Sequence, residues 1–199
     1  MGLSPGAGTA FDGANREGPP MFRILLCTAL LLIHPASAAT VASEDKPALQ
    51  RSVEQLRQSI GRWDVVTEFL NDDGSVAKSV DGSYEFAWVV PDRVVSGRSD
   101  IPAMKQTAGI LFYVNEKKGE IEMVSVGADG RLWIMTGPLG GEVRTTAPYA
   151  TSDGGSGQLR FTRYNVAPES FESRMDYSQD GGKTWKPGNH QTFRRPEPR

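Results

Sequence analysis

Cysteine and histidine are nearly absent from this sequence of 199 residues, which contains one Cys and two His. A single Cys excludes a disulfide framework and a zinc site built from thiolates. Charge of either sign is not in excess, since 22 Lys and Arg stand against 24 Asp and Glu and the formal net charge is −2. A chain without a basic surplus is not expected to bind nucleic acid through its phosphates, or anionic lipid surfaces.

Glycine and proline are abundant, with 22 Gly and 13 Pro. That many breakers are incompatible with a long helical bundle and are typical of a chain with frequent tight turns. The hydrophobic share of 38% still allows a packed core. The length predicts one domain.

The only long apolar run covers residues 24–33, directly after Arg23 and shortly before Ala-Ser-Ala at 36–38. A basic start, a short apolar segment and an A-x-A site are typical of a secretory signal peptide. The run is too short for a transmembrane helix, which needs about 20 residues; a buried N-terminal helix is the alternative. We therefore predict a signal peptide at 21–38, cleavage before Ala39, and a protein that is periplasmic or secreted.

The remaining chain divides simply. Residues 1–20 are rich in Gly and Pro without periodicity, and are interpreted as a disordered leader or as sequence upstream of a true start at Met21. Residues 39–46 are polar and are predicted to form a flexible linker. Residues 47–199 then form a single domain without transmembrane segment, whose oligomeric state the sequence leaves open.

Within this domain the hydrophobic period changes once. Apolar residues at 49, 53, 56 and 60 predict one short amphipathic helix over 47–60, which Gly61 ends. After Gly61 the period is two, and turn residues separate the segments. We predict an all-β, antiparallel meander β-barrel, with the N-terminal helix and about ten strands at 63–69, 82–90, 94–100, 110–115, 121–126, 131–136, 142–149, 158–165, 171–177 and 185–194.

The junction between helix and first strand reads Gly61-Arg62-Trp63, and the last strand carries Arg194 and Arg195. This arrangement resembles the G-x-W start of lipocalin-like (calycin) barrels. Together with a late D-G-G-x-x-W segment that ends at Trp185, it resembles a group of exported bacterial lipocalin-like domains of unknown function. The resemblance implies that Trp63 closes one barrel end beneath an arginine of the last strand. Strand alternation favours Arg195 for that contact, provided that Phe193 points inward.

The late segment, Ser178 to Trp185, also resembles the Asp-box of propeller sialidases. The local chemistry is that of a hairpin, in which Asp180 caps backbone N–H groups and Trp185 packs beneath the turn. A propeller needs such a segment in every blade, and this sequence has one copy. We therefore interpret the motif as a structural hairpin.

Aromatic and methionine side chains recur on the inward faces of the predicted strands. Ten strands leave more interior space than eight, which side chains just fill. The leading hypothesis is therefore a binding barrel for a small apolar or amphipathic ligand, with Arg98 and Asp100 as candidate anchors for a polar head group. The alternative is a structural or interaction barrel with a filled core. The predicted cavity-lining residues are Phe86, Trp88, Phe112, Met123, Phe161, Met175 and Tyr177.

His190 is the one histidine left after cleavage. It is a candidate axial ligand for haem, which is the only cofactor that the sequence suggests, and the only candidate base for a Ser-His-Asp triad. No G-x-S-x-G nucleophile elbow accompanies it. An enzyme is therefore the second alternative, and no catalytic or metal-ligating residue is assigned.

Overall fold

The computed structural model describes residues 41–151 and 154–197, with side chains from residue 47 onward. The leader expected at 1–20 and the signal peptide expected at 21–38 lie outside the described residues, as do residues 39 and 40. Among the described helices, none is both long and apolar enough to cross a membrane.

One α-helix, α1, spans Val41–Ser59. The flexible linker expected at 39–46 is therefore wrong over residues 41–46, and Pro47 lies inside the helix instead of starting it. A proline at this position removes one backbone hydrogen-bond donor. The turns that follow are anchored in the core by Val53 and Leu56.

Eleven strands follow α1, with short turns between most of them. Several strands are longer than predicted, because the pairing of neighbouring strands continues into the segments that were expected to be turns. Their bounds are β1 Gly61–Leu70, β2 Val76–Val90, β3 Val94–Ile101, β4 Gln106–Asn115, β5 Glu120–Gly127, β6 Leu132–Pro138, β7 Val143–Thr146, β8 Tyr149–Ala150, β9 Ser156–Ala167, β10 Ser170–Ser178 and β11 Lys186–Arg194. A single turn of 3₁₀ helix, Pro102–Met104, joins β3 to β4.

The strands close into a barrel. β1 to β7 pair antiparallel in chain order, β7 pairs with β9, and β9 pairs with β10. β10 then pairs with β11, and β11 returns to β1. The result is a closed ring of ten antiparallel strands with β8 as an additional short strand on β9, which confirms the predicted all-β meander barrel with one N-terminal helix.

The single strand expected over 142–149 is wrong, since the structure divides this segment into β7 and β8. Ala147 and Pro148 lie between the two. Proline has no N–H to donate to a ladder, so pairing stops before it. β7 therefore joins β6 to β9 with only four residues, whereas β8 pairs with the start of β9.

α1 packs across one end of the barrel. Its Leu56 is fully buried against Val95, Val114 and Ile121, which come from three consecutive strands. Ser52 Oγ accepts a hydrogen bond from the backbone N–H of Gly140 at 2.7 Å. The helix thus covers the end at which β1, β3 and β5 begin, and the opposite end is bordered by hairpin turns.

Candidate functional site

The barrel encloses a cavity of about 350 Å³. It extends from Ser59, the last residue of α1, to Gln106, the exposed first residue of β4. Most of its lining consists of aromatic, aliphatic and methionine side chains, and seven lining residues are polar. The apolar and aromatic members are Tyr84, Phe86, Ile110, Phe112, Met123, Trp133, Met135, Leu159, Phe161, Phe171, Met175 and Phe193, and the polar ones are Ser59, Gln106, Ser125, Arg144, Arg163, Asn189 and Gln191.

Most of the residues predicted to line a cavity do so. Five of the seven lie in the lining, and they are Phe86, Phe112, Met123, Phe161 and Met175. They come from β2, β4, β5, β9 and β10, so the closure of the ring brings together side chains that are far apart in the chain. Their common feature is the inward parity of a two-residue period.

Trp88 and Tyr177 were predicted to line the cavity, and neither does so. Trp88 follows Phe86 on the same face of β2 but packs on the cluster around Leu56, beneath α1. The hydroxyl of Tyr177 donates a hydrogen bond to Asp72 Oδ1 at 2.9 Å, in the turn between β1 and β2. Both side chains have the expected parity, and neither lines the cavity because each lies beyond one of its ends.

Arg98 and Asp100, expected to anchor a head group, also lie outside the cavity. In the register of β2 with β3 they stand opposite Glu85 and Ser83, whereas the inward Tyr84 pairs with Ser99. Arg98 is exposed. Both residues therefore lie on the outer face of the barrel, because they alternate with Ser99 and Ile101, which are buried positions of β3.

Two arginines that were not among the predicted site residues lie at the α1 end of the cavity. Arg144 of β7 and Arg163 of β9 both line it, with 1% and 7% of their surfaces exposed. A signal for Arg163 was present, because it follows the inward Phe161 by two residues. No such signal was present for Arg144. Its apolar neighbour Val143 would be expected in the core, but it is exposed.

The guanidinium of Arg144 is held by a helix residue and by aromatic rings. Its Nη2 donates to Gln55 Oε1 of α1 at 2.9 Å. Its central carbon lies 4.7 Å from the ring centroid of Phe112 and 5.7 Å from that of Phe161. Burial, and then the charge of nearby Arg163, lower the pKa of Arg144 to about 10, although the charge of Glu142 opposes this shift. The group is therefore still charged at neutral pH.

Arg163 is neutralised by a carboxylate. Its Nε donates to Glu142 Oε2 at 2.8 Å and its Nη2 to Glu142 Oε1 at 3.0 Å. This two-point pairing matches the planar fork of a guanidinium to a carboxylate. Arg163 thus contributes a closed ion pair to the cavity end, and Arg144 contributes a cation without such a partner.

Trp63 and Arg195 close the same end from the side of β1 and β11. Trp63 is 1% exposed, and its Nε1 donates to the carbonyl oxygen of Ser59 at 2.8 Å. The central carbon of the Arg195 guanidinium lies 3.6 Å from the Trp63 ring centroid. Its Nη1 donates to the carbonyl of Ile60 at 2.7 Å, and its Nη2 to that of Gln58 at 3.3 Å. This is the contact with Trp63 that the resemblance implied, made by the arginine that strand alternation favoured.

Gly61 is required at this junction. Its φ of 100° lies in a region that side chains rarely adopt. A Cβ at this position would lie 2.8 Å from Nη1 of Arg195. The absence of a side chain at Gly61 therefore allows the Arg195 guanidinium to pack directly against the backbone between α1 and β1. Arg194, the other arginine of the pair, is exposed.

His190 lies on the outer face of β11, between the inward Asn189 and Gln191. Its Nδ1 is 3.0 Å from Glu68 Oε2, and its Nε2 is 3.1 Å from Glu172 Oε2. Both ring nitrogens are thus engaged by carboxylates of neighbouring strands. The histidine considered as a haem ligand or as a catalytic base does not line the cavity.

The segment from Ser178 to Trp185 forms a hairpin turn held by Asp180. Its Oδ1 accepts from the backbone N–H groups of Lys183 and Thr184 at 3.0 and 2.9 Å, and its Oδ2 accepts from the Thr184 hydroxyl at 2.7 Å. These hydrogen bonds keep the pKa of Asp180 well below its usual value. The Trp185 ring lies under the guanidinium of Arg160, at 4.3 Å.

Comparison with known proteins finds similarity at the level of solved structures, while no family model and no curated protein matches the chain. The S-type phycobiliprotein lyase CPES from Guillardia theta is 14% identical, with a TM-score of 0.47 over 78% of this chain and 98% of that chain. The structure of EF1p2_mFAP2b bound to DFHBI is 15% identical, with a TM-score of 0.36 over 73% of this chain and 98% of that chain. The chemistry of the cavity therefore follows from the residues of this chain alone.

Proposed function

We propose that this protein is an exported barrel that binds a small apolar or amphipathic molecule in its interior. The observation that carries the proposal is the cavity of about 350 Å³, lined by Phe86, Phe112, Met123, Phe161 and Met175. Small-molecule pockets have volumes of about 300–1,000 Å³ and mainly apolar, aromatic walls with a few polar groups. Methionine side chains adapt their shape to a ligand.

The composition of the lining favours binding over catalysis. Among the described residues, the cavity wall contains no Asp, Glu, His or Cys. General acid–base and nucleophilic catalysis at neutral pH rely mostly on those side chains. The alternative of a filled structural core is disfavoured by the cavity itself, since native cores leave few voids larger than a water molecule.

The cavity is held in shape before any ligand enters. Gln191 Nε2 donates to Thr67 Oγ1 at 3.0 Å and to the Tyr84 hydroxyl at 3.1 Å, which links the neighbouring strands β11, β1 and β2 on the inner face of the barrel. Burial raises the pKa of Tyr84, so its hydroxyl remains protonated. A pre-formed site spends less binding free energy on ordering its own side chains.

Native mass spectrometry of the protein purified from its own host tests the proposal, because a retained ligand adds a defined mass. Ser125→Trp places a large side chain in the cavity, and the adjacent Val126→Trp places it on the outer face, where Val126 is 41% exposed. We expect Ser125→Trp to abolish binding of 1-decanol in calorimetry and Val126→Trp to leave it unchanged. Equal binding by both variants overturns the proposal of an interior site.

Export is proposed from residues 21–38, where a basic residue, an apolar run and Ala-Ser-Ala follow one another. N-terminal sequencing of the protein recovered outside the cytoplasm tests it. We expect the mature chain to begin at Ala39. A chain that begins at Gly2 or at Met21 contradicts the cleavage site.

A further inference from the structure

The cavity contains a charge that the protein does not neutralise. Arg144 is 1% exposed, yet among the described residues no carboxylate forms a salt bridge with its guanidinium. The nearby Glu142, whose charge raises the pKa of Arg144, forms its ion pair with Arg163 instead. The Nε of Arg144 has no hydrogen-bond partner. Among the described residues it is the one buried side-chain nitrogen or oxygen that lacks such a partner. A buried charge is normally paired, because removing it from water is costly.

The neighbours of Arg144 stabilise it in part. Gln55 accepts one hydrogen bond, and the faces of Phe112 and Phe161 provide cation–π contacts. The ion pair of Arg163 with Glu142 cancels its own charge. Among the described residues that line the cavity, Arg144 is therefore the one cation without a salt bridge to a carboxylate.

We propose that the ligand is an amphipathic molecule with a single carboxylate, which lies at the α1 end of the cavity against Arg144. The inference rests on the proposed function and adds the chemical class of the ligand. A carboxylate supplies the one negative charge and the planar acceptors that a guanidinium matches. A dianion would leave an unpaired charge in the interior, and a neutral head group would leave the arginine unpaired.

The remainder of the cavity fits the apolar part of such a molecule. From Arg144 the wall continues through Phe112, Met123 and Met175 towards Trp133. Trp133 lies on β6, near the end of the barrel opposite α1, where its ring meets that of Tyr149 edge-on at 5.3 Å. The carboxylate enters first and the apolar chain extends towards the exposed Gln106.

Calorimetry with three probes of equal chain length tests this orientation: decanoate, 1-decanol and decylamine. The full barrel is compared with Arg144→Met and with Arg98→Met, which removes an exposed arginine from the outer face. Charge-assisted hydrogen bonds contribute about 1.5–3 kcal/mol, so decanoate should bind about tenfold to a hundredfold more tightly than 1-decanol. Arg144→Met should abolish that preference and keep 1-decanol binding, Arg98→Met should retain both, and decylamine should bind most weakly to the unaltered protein.

The outcomes separate the two proposals. If 1-decanol binds the unaltered protein as tightly as decanoate, or if Arg144→Met keeps the preference, the carboxylate class is overturned and the binding barrel stands. If none of the three probes binds, both proposals fail. Arg144→Gln provides the same comparison with a polar side chain in case the Met variant does not fold.

Discussion

The contact between Arg195 and Trp63 shows how one residue pair organises a barrel end. The guanidinium lies over the indole ring and donates to two backbone carbonyls at the C-terminal end of α1, those of Gln58 in its last turn and of Ile60 just beyond it. Burial lowers the pKa of Arg195. The same side chain thus stabilises a helix C-terminus and covers a buried ring.

We expect Arg195→Ala to destabilise the protein by about 1–2 kcal/mol more than Arg194→Ala, since a partly buried cation–π contact and its hydrogen bonds are lost only in the first variant. Urea denaturation measures both. The contact also requires that Trp63→Ala, expected to cost about 3–5 kcal/mol, and Arg195→Ala are non-additive in a double-mutant cycle. Full additivity, or equal effects of the two arginines, contradicts this role.

At the scale of elements, the turn before β11 is a unit with its own hydrogen bonds. Ser178 Oγ accepts from the backbone N–H of Gly182 at 2.8 Å and donates to Asp180 at 2.7 Å. One Asp carboxylate satisfies several donors of the turn at once. The motif therefore shapes a hairpin, and its likeness to the Asp-box is a likeness of turn chemistry.

The stabilisation by Asp180 should depend on pH. Its pKa is lowered in the folded state, chiefly by hydrogen bonds from Thr184. The stabilisation is therefore fully present above the unfolded Asp pKa of about 3.9 and is lost progressively as pH falls from there towards the lower folded-state pKa. We expect Asp180→Asn to lower the urea midpoint at pH 7 and to have a smaller effect at pH 3.

The exposed Asp81 on β2 offers the matched control. Asp81→Asn removes the same charge from the barrel surface without disturbing a turn. It should change the urea midpoint little at either pH. A loss in the Asp180 variant that is the same at both pH values would show that the charge of Asp180 is not what stabilises the turn.

At the scale of the whole molecule, a ring of ten strands encloses more space than its side chains fill, and the protein places a cation there. Such a group is expected to reduce the stability of the ligand-free barrel, because its hydration is lost without a full replacement. Arg144 would then favour ligand binding while lowering the stability of the ligand-free protein, a trade-off that is common at functional sites.

We expect Arg144→Met to leave the ligand-free protein at least as stable as the unaltered chain. Removal of the buried charge should offset the lost contacts with Gln55 and Phe112, for a net gain of up to about 2 kcal/mol. For a domain of this size that gain raises Tm by about 2–4 °C per kcal/mol in a calorimetric scan. A large loss of stability would instead mark Arg144 as a structural residue, and Arg98→Met is the control.

The period-two pattern was sufficient to predict the strands, the meander order and the parity of most side chains. Each of these depends on neighbours in the chain, because alternation is a property of the strand itself. The five cavity residues from Phe86 to Met175 were found in this way. The strand expected over 142–149 failed because Pro148 ends pairing in a segment whose polarity pattern continues.

Depth along the barrel was decided only by the tertiary structure. Parity places a side chain inside or outside, but the register between strands and the position of α1 decide whether an inward residue meets the cavity, the helix or an end. Trp88 and Tyr177 have the right parity and lie past the ends, while Arg144 is inward on a strand of four residues whose apolar Val143 faces out. The sequence alone determined the inward face of most strands, with β3 and β7 as the exceptions. It did not determine how far each strand slides past the next, because registers are set by hydrogen bonds between strands.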